Sequence, residues 1–234
     1  MSPRVSVVVP VYNEGEAVVP LLQRLLDSVT MPCEVLVVYD SLDDTTRPYL
    51  EKVAENDPRL VPMHNTFGPG PAQALRYGFE HAQSPVVVVT MADGSDDPTQ
   101  IEALVRLVER GVVVAAASRY THGGQQVGGP FLKGMLSRLA GVSLFLLARV
   151  GTHDATNSFK AYDRDFVRRV RIESVAGFEM GIEMVAKARR HRQLVAELST
   201  IWLDRGLGPS NFQLQSWIPH YFRWYRYAFG RRLT

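Results

Sequence analysis

The chain has 234 residues, 46% of them hydrophobic, enough to build one sizeable core. Charged residues make up 21% and the net charge is +2, which argues against a disordered chain and against a general nucleic-acid binder. A lone cysteine, Cys33, excludes an internal disulfide framework and fits a reducing compartment. The opening Met1-Ser2-Pro3-Arg4 leads straight into a strand pattern without a signal-peptide apolar region, so a cytoplasmic protein is expected. Apolar stretches fall short of the ~20 residues that span a bilayer. The best of them, 140–148 between Arg138 and Arg149, reads as a buried or interfacial helix.

The β-branched run at 5–9, closed by Pro10, predicts a buried strand. Val18, Leu21, Leu22, Leu25, Leu26 and Val29 recur at helical spacing and predict a helix over 16–29. A second buried strand follows at 34–38, a helix at 45–56 and a short strand at 60–63. Ala72, Leu75, Phe79 and Ala82 share one face of a helix at 71–83, entered through a Gly/Pro loop. A strand at 85–90, a helix at 101–109 and a strand at 112–117 complete the first half. Such alternation predicts an α/β fold, a mainly parallel sheet with helices on both faces. The second half is less regular. It reads as a flexible loop at 123–130, helices at 131–149, 164–170 and 178–190, a strand at 194–198, a Gly-containing loop at 204–211, and an aromatic helix at 212–229.

Ligands of such sheets sit beyond the carboxyl ends of the strands. There the sequence places Pro10-Val11-Tyr12-Asn13-Glu14, Tyr39-Asp40, Thr90-Met91-Ala92-Asp93 and Ser118-Arg119-Tyr120. Hard divalent cations prefer carboxylate and hydroxyl oxygens, so Asp93 is a candidate to hold Mg²⁺ or Mn²⁺ against a diphosphate. Asp97, before Pro98, reads as a helix N-cap. Asp40 can accept hydrogen bonds from a base or ribose, or close an Asx turn with Ser41 or Leu42. Asp43 and Asp44 read as solvent-facing helix-start residues. The loop at 64–71 lacks the Lys-Ser/Thr of a phosphate loop and is expected only to shape a cleft. Arg119, Lys133, Ser137, Arg138, Arg205 and Ser210 are candidates to hold an anion. Asp154 is a candidate general base or an orienter of a neighbour, and His153 is given no role.

In this order the residues resemble glycosyltransferase family 2, and within it the dolichol-phosphate mannose synthase group. The resemblance runs from Val5 to about Ser210. It rests on Val9-Pro10-Val11-Tyr12-Asn13-Glu14, Asp40, Ser118-Arg119-Tyr120 with Gly123-Gly124, Ser137-Arg138-Leu139-Ala140, Asp154 to Tyr162, Gly177-Phe178-Glu179 with Glu183, and Asp204-Arg205 with Gly208 and Ser210. It implies a GT-A fold with a Rossmann-like sheet, a divalent cation, a nucleotide-diphosphate sugar donor and a polyprenyl-phosphate acceptor. The nucleotide-sugar set implied is Pro10, Tyr12, Glu14, Tyr39, Asp40, Ala92 and Asp93. Asp93 and Ser95 would reach the metal. Arg119, Lys133, Ser137, Arg205 and Ser210 would gather the phosphates, and Asp93, Asp154 and Arg205 form the catalytic set. Two departures stand out. Met91 replaces the first aspartate of the usual Asp-x-Asp, with Asp96 as a candidate replacement ligand, and Tyr39 opens the nucleotide element, where it could stack on a base. GDP-mannose is the first expectation for the donor, with a UDP-sugar next.

The expected organisation is a catalytic domain over 1–210 followed by an amphipathic helix over 211–234. In that helix Ile218, Tyr221, Phe222, Tyr225 and Phe229 recur at helical spacing, and Arg226, Arg231 and Arg232 add positive charge. Such a helix can lie in a membrane interface on the cytoplasmic side or pack on the protein's own core. A hydroxyl acceptor, and a non-catalytic subunit with a decayed fold, stand as alternative functions. A sugar nucleotidyltransferase is disfavoured, because Tyr12-Asn13-Glu14 stands where a Gly-rich, lysine-containing loop would be.

Overall fold

The computed structural model describes residues 2–204 and 214–233, with side chains in the last helix described from 217 onward. Strand β1 (Val5–Val11) lies between β2 (Cys33–Tyr39) and β4 (Val86–Val89), and β3 (Leu60–His64) extends the sheet beyond β2. On the other side of β4 come β7 (Lys160–Asp163), β5 (Val114–Ser118) and β8 (Val195–Ser199), giving the seven-strand order β3-β2-β1-β4-β7-β5-β8. The neighbouring pairs are parallel except those of β7, which runs antiparallel to both β4 and β5. β7 escapes the sequence reading because its first residue, Lys160, is charged and masks a four-residue strand, yet Lys160 is fully buried.

Period-two alternation divides β1 between two cores. Val5, Val7, Val9 and Val11 face one cluster with α1 (Val18–Ser28), α2 (Arg47–Asn56) and α4 (Ile101–Glu109). Val8 faces the other, with α3 (Pro71–His81), α6 (Arg164–Val170), α7 (Met180–Arg190) and α8 (Leu214–Ala228). Asp97 caps the turn before α4, accepting from Thr99 N at 3.2 Å, with Pro98 next in the chain.

The loop expected at 123–130 contains a strand. β6 (Gln125–Val127) pairs in parallel with β9 (Ile201–Leu203). Helix α5 (Phe131–Ser143) continues without a break as a π-helix over Leu144–Ala148. These 18 residues are apolar and long enough to cross a membrane by length and composition, and most of them are uncovered. The helix matches the one read at 131–149, but its apolar length exceeds the 140–148 stretch read as the best apolar candidate, and it is a wall of the cleft described below. In α8 the inward residues are Trp224 and Ala228, packed in the second core, while Ile218, Phe222 and Phe229 stay exposed. The aromatic stripe of this helix therefore divides between core and surface.

Helix α3 reaches the sheet through Gly78, where a Cβ would overlap the buried Val8 side chain of β1. Gly78→Ala is expected to destabilise the fold by about 1–3 kcal/mol, the usual cost of overpacking. Chemical denaturation checks it, and a loss under ~0.5 kcal/mol would mean the helix shifts freely.

Candidate active site

A cleft of about 1550 Å³ opens at the carboxyl ends of β1, β2, β4 and β5. Its polar end is lined by Pro10, Tyr12, Glu14, Asp40, Ala92 and Asp93. Asn13, just past β1, takes a positive φ of 53°. Its amide donates to both oxygens of Asp44 and its side-chain oxygen accepts from Thr45 N. Asp44 is thus buried, not solvent-facing, and locks the segment that carries Tyr12 and Glu14. The alternative reading of Asp40, an Asx turn with Ser41 or Leu42, is not the arrangement found. Asp40 accepts from Asn65 Nδ2 at 2.8 Å and Gly70 N at 2.7 Å, so it holds the 65–70 loop against the cleft. Tyr39, expected to stack on a base, is instead buried and stacked on His64 at 5.7 Å.

Asp93 Oδ1 accepts from Ser95 N at 3.0 Å, which takes up one of its two oxygens. Ser95 Oγ is buried without a hydrogen-bond partner among the described residues. Buried hydroxyls ordinarily have one, and a water or cation there would supply it. These residues fit a hard cation, although no cluster of three or more His, Cys, Asp or Glu exists among the described residues. Diphosphate and water oxygens would complete the shell. Asp96, the candidate replacement for the carboxylate absent at Met91, is buried beside Asp93. Asp96 Oδ2 accepts from Thr90 Oγ1 and Met91 N, both at 3.1 Å, which braces the end of β4. Burial, reinforced by the charge of Asp93, pushes its carboxyl up to about 7.

Arg119, one residue past β5, meets Asp154 in a forked ion pair, Nε to Oδ2 at 2.7 Å and Nη2 to Oδ1 at 2.9 Å. Asp154 is fully buried, and it also accepts from Arg119 N and Asn157 N. Burial alone would raise the Asp154 carboxyl, but Arg119 outweighs it and holds the group below its ordinary value. Both carboxylate oxygens of Asp154 are thus engaged by Arg119. Arg119 also donates to Ser137 Oγ at 3.1 Å, and Ser137 shares a hydrogen bond with Thr156. The Arg119 guanidinium lies 5.9 Å from the Trp202 ring. Lys133 faces the same junction. Burial and the charge of Arg119 lower its ammonium, while Asp204 and Asp93 pull it back up. Arg205 and Ser210 lie outside the described residues.

The far end of the cleft is apolar. Leu136, Leu139 and Ala140 of α5 face Phe178 and Ile182, with Trp217, Tyr221 and Phe222 of α8 completing the wall. Two buried carboxylates of the α7 region shape this end. Glu179 accepts from the amides of Val175, Ala176 and Gly177, and Glu183 from those of Glu173 and Ser174 while pairing with Lys187 at 2.7 Å. Sequence reasoning gave no site role to the cleft residues Thr156, Asn157, Gln126, Trp202 and Asp204. The β6–β9 pairing that brings the last three in joins segments too far apart for local periodicity to register.

Asp154→Asn removes the counter-charge of a buried guanidinium. A stability loss of about 3–5 kcal/mol is expected. A denaturant titration showing unchanged stability with abolished turnover would instead mark Asp154 as a base.

The chain is 30% identical to the polyprenol monophosphomannose synthase of Mycolicibacterium smegmatis over 213 residues, 88% of this chain and 80% of that one. It is 29% identical to the undecaprenyl-phosphate mannosyltransferase of Micrococcus luteus, again over 213 residues, 88% of this chain and 86% of that one. Among solved structures, glucosyl-3-phosphoglycerate synthase of Mycobacterium tuberculosis, in complex with Mn²⁺, UDP-glucose and phosphoglyceric acid, superposes with a TM-score of 0.72 at 16% identity, covering 99% of this chain and 82% of that one. A mannosyltransferase of Pyrobaculum calidifontis in complex with GDP-Man and Mn²⁺ gives 0.62 at 20%, covering 93% and 60%. Likenesses this distant carry the fold alone, and they match the GT-A architecture. The description glycosyl transferase family 2 matches residues 6–171, and with the strand-end cleft built as above, the chain belongs to that family.

Proposed function

We propose that this enzyme transfers mannose from GDP-mannose to a polyprenyl phosphate, with inversion at the anomeric carbon. One observation carries the reading: a single cleft joins the acidic strand-end pole at Asp93 to the apolar pole of α5, α7 and α8, with Arg119, Lys133 and Ser137 at the junction. A nucleotide sugar suits the first pole, an isoprenoid tail the second, and the acceptor phosphate the cationic junction. The named relatives that act on polyprenyl phosphate support the same acceptor.

Asp93, with Ser95, would hold Mg²⁺ or Mn²⁺, which supplies charge stabilisation at the departing diphosphate. Glu14 and Asp40 offer acceptors to the nucleoside beside Pro10 and Tyr12. Arg119 is fixed by Asp154 before substrate arrives, so its charge needs no reorganisation during transfer. A phosphate acceptor has its second pKa at about 6 and is largely ionised at neutral pH, so it needs placement more than a base. The locked state of Asp154 favours this acceptor over a hydroxyl. Arg205 and Ser210, which follow β9 in the chain, belong to the same proposal as phosphate ligands. The exposed apolar faces of α5 and α8 fit a peripheral position on the cytoplasmic face of a membrane, where the acceptor is held.

Purified protein is tested against GDP- and UDP-sugars with polyprenyl phosphate and, separately, polyprenol. Transfer from GDP-mannose to the phosphate is expected; transfer to polyprenol, or to neither, sinks the proposal. Asp93→Ala should lower Mn²⁺-dependent transfer by about 10²–10³-fold, the scale of losing one charge-stabilising group. Asp96→Asn should keep its metal dependence. Equal losses in both variants would place Asp96 at the metal with Asp93.

A further inference from the structure

Three helix ends converge beyond the apolar end of the cleft, and all three are basic. Arg189 of α7 donates Nε to Ala148 O at the end of the 131–148 helix, at 2.8 Å, and Nη1 to Gly230 O just past α8. Arg190 donates Nε to Arg231 O at 3.0 Å and lies 4.2 Å from the centroid of the Tyr227 ring. Arg189 thus caps a carbonyl at a helix end, and both guanidiniums hold the segment that follows α8. Arg149, Arg231 and Arg232 stand exposed around them. The segments that meet here, 131–149, 184–196 and 214–233, contain no acidic residue. In a chain of net charge +2 this concentrates positive charge at one corner. Burial, then Arg232 and Arg190, draws the Arg189 guanidinium below its ordinary value, as mutually repelling cations do.

Apolar side chains project at the same corner. Leu146 and Leu147 are 63% and 70% exposed, and Phe229 is 43% exposed. Ser143 and Tyr225, which line the cleft, bond to each other at 3.0 Å. Between Ser143 and Arg149 lies the whole Leu144–Ala148 turn that ends the 131–148 helix. The corner therefore borders the cleft without belonging to it.

We propose that this corner docks an anionic bilayer surface, Arg149, Arg231 and Arg232 meeting lipid phosphates while Leu146, Leu147 and Phe229 enter between the headgroups. Charge complementarity selects the occupant. Exposed leucine and phenylalanine ringed by arginine suit an interface with an acidic headgroup layer over an apolar interior. The inference rests on the reading of a bilayer-held acceptor and adds to it a requirement for acidic bulk lipid. Docking here would hold the mouth of the cleft at headgroup depth.

The test is co-sedimentation of the full chain with phosphatidylcholine vesicles, with and without phosphatidylglycerol, with no donor or acceptor present. Binding is expected with phosphatidylglycerol and should fall as salt rises. The double variant R231Q/R232Q should bind those vesicles roughly 30-fold more weakly, from about one lipid-attracting increment per charge. Arg149→Gln, in a separate segment, should weaken binding in the same direction. Transfer to detergent-solubilised polyprenyl phosphate should be unchanged in both variants. Equal binding to the two vesicle types, or undiminished binding in both variants, overturns the inference. Failure of transfer in detergent by the unaltered chain overturns the functional reading instead.

Discussion

Arg119 leaves the end of β5 and closes on Asp154, a carboxylate with no exposed surface, 35 residues later in the chain. A buried pair of this kind survives desolvation only if its remaining hydrogen-bonding capacity is used. Here the amides of Arg119 and Asn157 and the hydroxyl of Ser137 use it. The bond therefore fixes β5, the 152–158 segment and α5 relative to one another. Asn157 extends the tie by donating to Ala117 O of β5 at 2.8 Å. Beneath it Lys160, drawn down to about 7 by burial despite Asp154 and Asp96, is turned onto the carbonyls of Ala155 and Asn157. The antiparallel insertion of β7 between β4 and β5 makes this geometry available, because it starts at the cleft end, Lys160 opposite Val89, and so leaves the preceding 152–158 segment there.

The other carboxylates of the site follow a common logic. Asp40, Asp44, Glu179 and Glu183 accept backbone amides of loops that border the cleft. Ionised carboxylates accept several bonds and do so strongly, which suits them to gathering loop amides that have no ladder partner. The loops are thereby set before any ligand arrives, and Asp93 keeps an oxygen for other use. Preorganisation of this kind matters most where charge develops during reaction.

The two poles of the cleft have separate origins. The acidic pole comes from strand ends, where parallel β1, β2 and β4 bring their following residues to one edge. The apolar pole comes from helices that lie over the sheet and leave part of their faces uncovered. α8 shows how one helix serves both needs. Trp224 sits in the core beneath Lys187 and Arg223, and Phe222 two positions earlier lines the cleft. Arg223 pairs with Glu173 at 2.7 Å and holds the helix against the α7 side.

The sequence by itself determined the alternating first half, the parallel sheet, the cap at Asp97 and the strand-end positions of Asp40, Asp93 and Arg119. Each follows from local periodicity or from a turn residue whose chemistry acts within a few positions. The family motifs in their chain order were legible for the same reason. The tertiary structure decided the rest. Asp154 looked available for proton transfer until Arg119 was brought against it. Tyr39 stacks on His64 and Asp96 accepts from Thr90, contacts that the sequence alone did not show. β6 and β9 are three residues each and gain a partner only across some 75 positions of chain. The inward face of α8 depended on which stripe α7 could cover. A side chain's role was set by the partner that folding delivered, and partners distant in sequence leave no local trace.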